Sequence, residues 1–347
     1  MDGRMRNTLV PTMVVLLHAV MCSTATLQGI DVIDLDKMTR PAAEAAGWLS
    51  EPFWPAQGLS TRQFADAFLG VAPDADELLS APSDASANEP PLPDAFDWRT
   101  ANTSLSSCIG PVVRQSPAVN GTVKHCGSCW AVSAVETLSD RHCVAMRKSI
   151  TPTAPRVELS SLDLIACDKL CKSWLHKQCN HGCLGGYPTL AWEYFDKTGV
   201  VSSECMPYNL SKQLLCPLNA CDKQPKAARK RYRTKRHYKP FGDGIRRDLI
   251  EGGPLQATFT VYEDFMSYRG GVYRHVSGRK LGLHAVEVIG FGVTPNGTRY
   301  WTAKNSWGLD FGINGTFMIA SGECGFDEAM LAGDPCLPGD PYPCPRE

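Results

Sequence analysis

The 347-residue sequence lacks an excess of charge of either sign: 35 Lys and Arg stand against 36 Asp and Glu, a formal net charge of −1. That balance removes any global electrostatic reason to expect a nucleic acid or an anionic membrane as partner. No stretch reaches the ~20 apolar residues needed to span a bilayer. Leu9 to Cys22 comes nearest and is interrupted by Pro11 and His18. There are no internal repeats. A second C-x-x-C is also absent, so Cys126 and Cys129 have no companion pair for zinc, and no thioredoxin-like strand precedes them. Cysteine itself is plentiful: 15 residues, far more than a reduced cytosolic enzyme carries, which points to an oxidising compartment. With 43% hydrophobic and 9% aromatic residues the chain buries a real core, which argues against both disorder and a scaffold held by disulfides alone.

Composition divides the chain. Arg4 and Arg6, the apolar run and the small residues Ser23, Thr24 and Ala25 read as a signal peptide over 1–25, after which no membrane contact is expected. Residues 26–91 carry short helix-like patterns at Ile33 to Trp48 and Thr61 to Leu69, then the Pro-, Ser- and Asp-rich PDADELLSAPSDASANEPPLP. That run has no means of packing and is where proteases cut, so 26–91 reads as a removable pro-segment. Over 92–347 the first half shows helical spacing (Trp130, Val132, Val135, Leu138) and the second alternates like strands at 255–263, 284–291, 298–305 and 316–320. A helical lobe followed by a β-rich lobe, with a cleft between, makes an α+β protein. A short Pro-rich tail over 334–347 closes it.

The chemistry concentrates in HCGSCWAVSAVETLSDRHC. Cys129 opens a predicted helix, where free backbone N–H groups and the helix dipole stabilise a thiolate. A thiolate is a working nucleophile that still needs a base to move protons.

C-G-S-C-W is a recognised signature of papain-type proteases. With LPDAFDWR, CLGGYP, VYEDFMSYRGGVYRHVSG, HAVEVIGFG and YWTAKNSWG following in order, Leu92 to about Gly333 resembles the cathepsin B branch of the papain-like cysteine proteases. The resemblance implies a two-lobe fold, no cofactor and no metal, peptide and protein substrates, a pro-segment acting as inhibitor, and a monomer. Residue by residue, it implies Cys129 as nucleophile, His284 as base and acid, and Asn305 as the group orienting the imidazole. Trp307 shields that hydrogen bond and lines the leaving-group side, and Gly185 and Gly186 are the strip against which substrate backbone lies. His142 and His275 lack such a context and read as structural.

Five departures qualify the resemblance. The family's oxyanion glutamine stands six residues before the nucleophile, where this chain has Val123; the nearest glutamine is Gln115, with SPAVNGTV inserted between. Gln115 serves only if those eight residues bulge outward. Losing one oxyanion donor costs ~10²–10³ in rate, so the alternative to an endopeptidase is a non-catalytic homologue acting as a binding or decoy protein. Between Cys205 and Cys221 there is no histidine pair and no room for the loop that makes cathepsin B a dipeptidyl carboxypeptidase. Ala329 occupies the acidic floor position of the second specificity pocket (Glu328 is adjacent), so an apolar residue two positions before the cut is expected. Leu283 replaces a glycine beside the catalytic histidine, and Phe311 a tryptophan.

The resemblance also suggests the bridges Cys108–Cys143, Cys126–Cys183, Cys167–Cys216 and Cys205–Cys221. Cys171–Cys179 is a local replacement for a family bridge, Cys336 pairs with Cys344 in the tail, and Cys324 is left as a buried thiol. Bridges are preferred over a metal site among Cys167, Cys171, His176, Cys179, His181 and Cys183. Glycan acceptor sequences occur at Asn102, Asn120, Asn209, Asn296 and Asn314, consistent with a lysosomal or secreted protein. The run KAARKRYRTKRHYK (226–239) holds eight Lys and Arg; it reads by default as a solvated crossover loop, the sharper alternative being a polyanion contact.

Overall fold

A computed structural model of the chain describes residues 32–53, 59–72, 90–101, 103–119, 122–173, 178–210, 215–217, 221, 230–341 and 344. The expected signal peptide and the linker over 73–89 lie outside these residues.

The N-terminal part forms helix α1 (Val32–Ala45), strand β1 (Trp48–Ser50) and helix α2 (Thr61–Phe68). The helical pattern expected to reach Trp48 stops short. Gly47 adopts a φ of 85°, a left-handed conformation that ends the helix, and Trp48 enters a strand. The start of α2 is written locally: Ser60 accepts from the Gln63 N–H while the Gln63 side chain accepts from the Ser60 N–H, a reciprocal capping box. Its spacing puts Phe64, Ala67 and Phe68 on one buried face.

Strand β2 (Phe96–Asp97), the short helices α3 (Trp98–Ala101) and α4 (Thr103–Ser106), and the hairpin β3 (Ala118–Val119) and β4 (Thr122–Val123) lead to the long helix α5 (Cys129–Ser149). Every residue of α5 from Cys129 to Val144 is buried, as befits a helix through the middle of a molecule. It packs with α6 (Ser161–Cys167) and, beyond the hairpin β5 (Cys171–Ser173) and β6 (Gln178–Cys179), with α7 (Pro188–Lys197). Trp130, Leu138, Leu164, Trp192 and Phe195 form that lobe's core.

The β-rich lobe holds β7 (Thr234–Tyr238), α8 (Asp243–Gly252), β8 (Leu255–Tyr262), β9 (Tyr268–Tyr273), β10 (Lys280–Val293), β11 (Arg299–Lys304), β12 (Thr316–Ala320) and β13 (Met330–Pro335). The strands run in the order β1-β9-β12-β11-β10-β8-β13-β7, with β2 also on β10. The two-lobe α+β expectation holds. The N-terminal segment is hydrogen-bonded into the sheet, since β1 extends its edge antiparallel to β9.

Two expectations are corrected at the other edge. The basic run is not simply a crossover loop: Thr234–Tyr238 is edge strand β7, and Arg231, Lys235, Arg236 and His237 pair with Asp163, Asp340, Asp334 and Asp196 at 3.0, 2.9, 2.8 and 2.7 Å. Charged side chains on an edge strand discourage further pairing, and these four are satisfied within the molecule. Residues 222–229 of the run lie outside the described residues. The tail begins later than expected, because Asp334 and Pro335 belong to β13.

A buried charge cluster joins the lobes. Lys304, the last residue of β11, lies 2.6 Å from Glu287 of β10 and 3.7 Å from both Glu136 and Asp140 of α5, and donates to the Gly110 carbonyl. Arg156 completes it at 2.6 Å from Asp140. The end of β11 is thereby fixed against the helix that begins at Cys129.

Candidate active site

Cys129 lies at the first position of α5, fully buried and unbridged. His284 projects from β10, where it pairs with Phe259 of β8. Its Nε2–H donates to Asn305 Oδ1 at 2.8 Å. The oxygen identity is fixed independently, because the same Oδ1 accepts the Ser306 N–H at 2.8 Å. Asn305 is set in place by its own N–H to the Gly315 carbonyl. The Trp307 ring lies 4.7 Å from His284, centroid to centroid, and covers the imidazole–amide pair. Phe311 packs edge-on against Trp307 at 4.7 Å, so the tryptophan-to-phenylalanine departure is absorbed as core packing. His284 Nδ1 is buried with no hydrogen-bond partner among the described residues, and is the ring nitrogen left for a thiol proton.

The insertion before the nucleophile forms the β3–β4 hairpin, which projects outward: Ala118, Thr122 and Val123 are exposed. Gln115, at its root, is fully buried. Its backbone N–H donates to the Ser306 carbonyl, and Ser306 Oγ donates to Gln115 Oε1 at 2.6 Å. That bond orients the amide so that Nε2 donates to the carbonyls of Cys126 (2.9 Å) and Phe68 (3.2 Å). Tyr208 donates to the Gln115 carbonyl at 2.7 Å and lies 3.0 Å from Ser128 Oγ. Ser116 and Tyr208 carry no motif, and Ser306 lies within YWTAKNSWG without a role assigned from the sequence.

The N-terminal segment runs through this site. The Ala67 carbonyl accepts from Ser116 Oγ at 2.9 Å, and the Phe68 carbonyl accepts from both Gln115 Nε2 and Trp307 Nε1. The Gly70 carbonyl accepts from the Gly186 N–H, and the Ala72 N–H donates to the Gly186 carbonyl, both at 2.9 Å. On the opposite wall the Val71 N–H donates to the Leu283 carbonyl at 3.4 Å. Gly70 is required by close approach, since a Cβ there would overlap the Gly127 carbonyl. Gly186 is required likewise: its Cβ would fall 2.6 Å from the Trp130 ring. Phe53, Phe64 and Phe68 pack around Trp307 at 5.1 to 6.1 Å.

Covering the site changes its electrostatics. Burial pushes the Cys129 thiol up to about 12, against the opposing pull of the Ala285, Trp130, Gly70 and Cys129 backbone N–H groups. Burial draws His284 down to about 4, opposed by the Asn305 hydrogen bond. Both shifts favour neutral thiol and neutral imidazole over the ion pair.

Leu283 and Ala329 are both half-buried, while Glu328 is exposed with its carboxylate near Gly325. All six expected bridges are present. Cys126–Cys183 clamps the segment before Cys129 to the turn bearing Gly185. Cys324 is unbridged but partly rather than fully buried. Asn209, Asn296 and Asn314 are exposed; Asn102 and Asn120 lie outside the described residues. No cluster suited to a metal occurs among the described residues, and none of their helices is long and apolar enough to cross a membrane. His142 is packed edge-on against Tyr232, and His275 is held by Asp264 and stacked on Tyr262.

A helical lobe and a β-rich lobe meeting at a thiol, an imidazole and an orienting amide define a cysteine peptidase. Residues 92–333 match the papain family of cysteine proteases, and the chain belongs to that family. The cathepsin B-like protease 1 of Arabidopsis thaliana is 34% identical over 271 residues, covering 70% of this chain and 68% of the relative. The cathepsin B-like CP2 of Giardia intestinalis is 32% identical over 300 residues, 81% of this chain and 89% of the relative. Among solved structures, procathepsin B S9 from Trypanosoma congolense superposes with a TM-score of 0.68 at 28% identity, covering 88% of this chain and 98% of that one. The chain is a papain-like cysteine protease of the cathepsin B branch.

Proposed function

We propose that the protein is the zymogen of a cysteine-type endopeptidase, with residues 26–91 as its inhibitory pro-segment and 92–347 as the catalytic unit. What supports this is the segment Phe68–Ala72: its Phe68 carbonyl accepts from Gln115 Nε2, its Gly70 N–H and the Ala285 N–H beside His284 are directed at the Cys129 sulfur, and its Val71 N–H donates to the Leu283 carbonyl next to the His284–Asn305 pair. With that segment withdrawn, the Cys129 thiol loses its proton to His284 and attacks the scissile carbonyl carbon. The C=O π electrons move onto oxygen, which Gln115 Nε2 and the Cys129 backbone N–H stabilise. Collapse expels the leaving amine, protonated by His284, and leaves a thioester on Cys129. Water, deprotonated by His284, then releases the acid and regenerates the thiol. Asn305 holds the ring so that Nδ1 faces the sulfur, and Trp307 keeps water from their hydrogen bond.

The pro-segment inhibits by occupation: its Phe68 carbonyl takes the Gln115 donor, and Gly70 to Ala72 take the Gly186 strip. The buried amide of Gln115 and the outward hairpin favour an enzyme over a decoy. Val71, flanked by Gly186 and Leu283 and packed on the helical-lobe core, supports an apolar residue two positions before the cut. The histidine-free segment from Cys205 to Cys221 supports internal cleavage over dipeptide release. Six disulfides favour the secretory pathway, lysosomal or extracellular.

An epoxysuccinyl inhibitor tests the reading. Cys129 is expected to be labelled after acid processing and not before, with Cys129→Ala as control for Cys324. A processed, folded chain that stays unlabelled would hand the case to the decoy.

A further inference from the structure

We propose that Tyr208 is a positioning residue that holds the two halves of the oxyanion hole in register across the inserted hairpin; this rests on the reading of Gln115 as an oxyanion donor. The hairpin lengthens the covalent path between Gln115 and Cys129, so the chain alone no longer fixes one donor relative to the other. Ser306 ties Gln115 to the β-rich lobe. Tyr208 ties it to the helix that carries Cys129.

The hydrogen bonds have one consistent polarity. The Gln115 carbonyl can only accept, so the single phenol proton is committed to it at 2.7 Å. Ser128 Oγ, 3.0 Å away, therefore donates into the phenol oxygen. Ser128 precedes the nucleophile, and its hydroxyl makes no cap to α5; Tyr208 takes it instead. The relay Ser128 O–H to Tyr208 O–H to the Gln115 carbonyl thus joins the residue before one donor to the backbone of the other.

Tyr208 is itself firmly seated. The Cys205–Cys221 bridge closes its segment, the Cys205 and Met206 N–H groups donate to the Ser202 carbonyl, and Ser160 Oγ donates to the Met206 carbonyl at 2.5 Å. Burial raises the phenol to about 12, so the donor keeps its proton throughout the working range.

Tyr208→Phe in the processed enzyme removes only the hydroxyl. The expected result is a fall in kcat of about tenfold, a fraction of the ~10²–10³ attached to deleting a donor outright, with KM unchanged. A peptide aldehyde, whose hemithioacetal oxygen occupies the hole, should lose affinity by about the same factor. Alkylation of Cys129 by iodoacetamide, which builds no oxyanion, should keep its rate. Ser128→Ala breaks the other half of the relay and should show the same signature. Equal losses in all three readouts would mark general packing and overturn the proposal, as would unaltered turnover in both variants. Gln115→Ala separates the two readings. If it costs nothing, the Gln115 assignment fails and takes Tyr208 with it. If it costs ~10²–10³ while Tyr208→Phe and Ser128→Ala cost nothing, the Tyr208 proposal alone fails. Because Tyr208 acts through Gln115, adding Tyr208→Phe to Gln115→Ala should cost less than about twofold more.

Discussion

The two walls of the cleft are built on different principles. On the β-rich side, His284 and Asn305 come from β10 and the end of β11, neighbours in an antiparallel ladder that pairs Glu287 with Lys304. Their separation is set by strand register, and a one-residue slip would turn either side chain to the other face. On the helical side, Gln115 and Cys129 sit at two ends of a loop held by point attachments: the Cys126–Cys183 bridge, Ser306 and Tyr208. A ladder admits no insertion between its reacting groups. A stapled loop admits eight residues, because the added chain leaves as a hairpin while the attachments stay put.

The comparison is broken most sharply at the ladder. His284→Ala should reduce kcat on the order of 10⁶-fold, and Asn305→Ala, which spares the base but frees its ring, on the order of 10⁴-fold, by analogy with other hydrolytic triads. Both are read from peptide hydrolysis by the processed enzyme. An Asn305→Ala enzyme with near-normal turnover would show that the ladder itself, and not the amide, orients the imidazole. Gln115→Ala on the stapled side comes next, at ~10²–10³ in kcat.

The pro-segment tests both walls at once, since it bonds to each. Gly70→Ala forces a Cβ into the Gly127 carbonyl. Overpacking of this kind costs about 1–3 kcal/mol, so the zymogen should open more often. Epoxysuccinyl labelling of Cys129 at neutral pH should accelerate by roughly ten- to a hundredfold. Unchanged labelling would mean that docking of α1, β1 and α2, not passage through the cleft, controls access.

Acid should act on the walls separately. His284 is held near 4 in the occupied cleft, below the ~6.5 of an unfolded histidine. Its contribution to zymogen stability is therefore complete above pH 6.5 and is lost as pH falls toward 4, about 3 kcal/mol in all. His142, buried in the helical lobe and also near 4, adds a similar slope over the same window. Cys129 is raised, so its contribution fades only above about pH 9 and plays no part in acid. Burial also raises Glu136 to about 7 and Asp168 to about 6, and their protonation opposes this loss over the same window. The test is therefore a difference: in urea unfolding of a Cys129→Ala zymogen between pH 7 and 4, adding His142→Gln should make stability fall less steeply toward acid. A slope untouched by His142→Gln would place the acid sensitivity elsewhere.

What the sequence made legible follows the same division. The ladder wall was legible through the resemblance: HAVEVIGFG and YWTAKNSWG bring His284 and Asn305 as motif residues, and visible alternation puts the first inside β10 and the second just past the end of β11. Cys129 was legible as the start of an apolar-periodic helix. Ser306 and Tyr208 were not, because a hydroxyl aimed at a backbone carbonyl far along the chain leaves no periodic trace. The Lys304 cluster was hidden for a related reason: five charges on three elements and a loop look like surface until those pieces meet. Trp48 was misread because one glycine φ, not a change in apolar spacing, ends α1.

The smallest expected effect is the most pointed test of the stapled wall. Counting back six residues from Cys129 reaches Val123, yet Val123 is 36% exposed on β4 and makes no part of the site. Val123→Gln restores the family's residue at the family's spacing. An exposed substitution away from caps and ion pairs shifts stability by no more than about 0.5 kcal/mol, and kcat should stay within about twofold, because the new amide points into solvent. The same substitution on a Gln115→Ala background should rescue nothing. Rescue would mean that the hairpin folds back into the cleft and that sequence spacing, not the attachments at Ser306 and Tyr208, decides which residue faces the oxyanion.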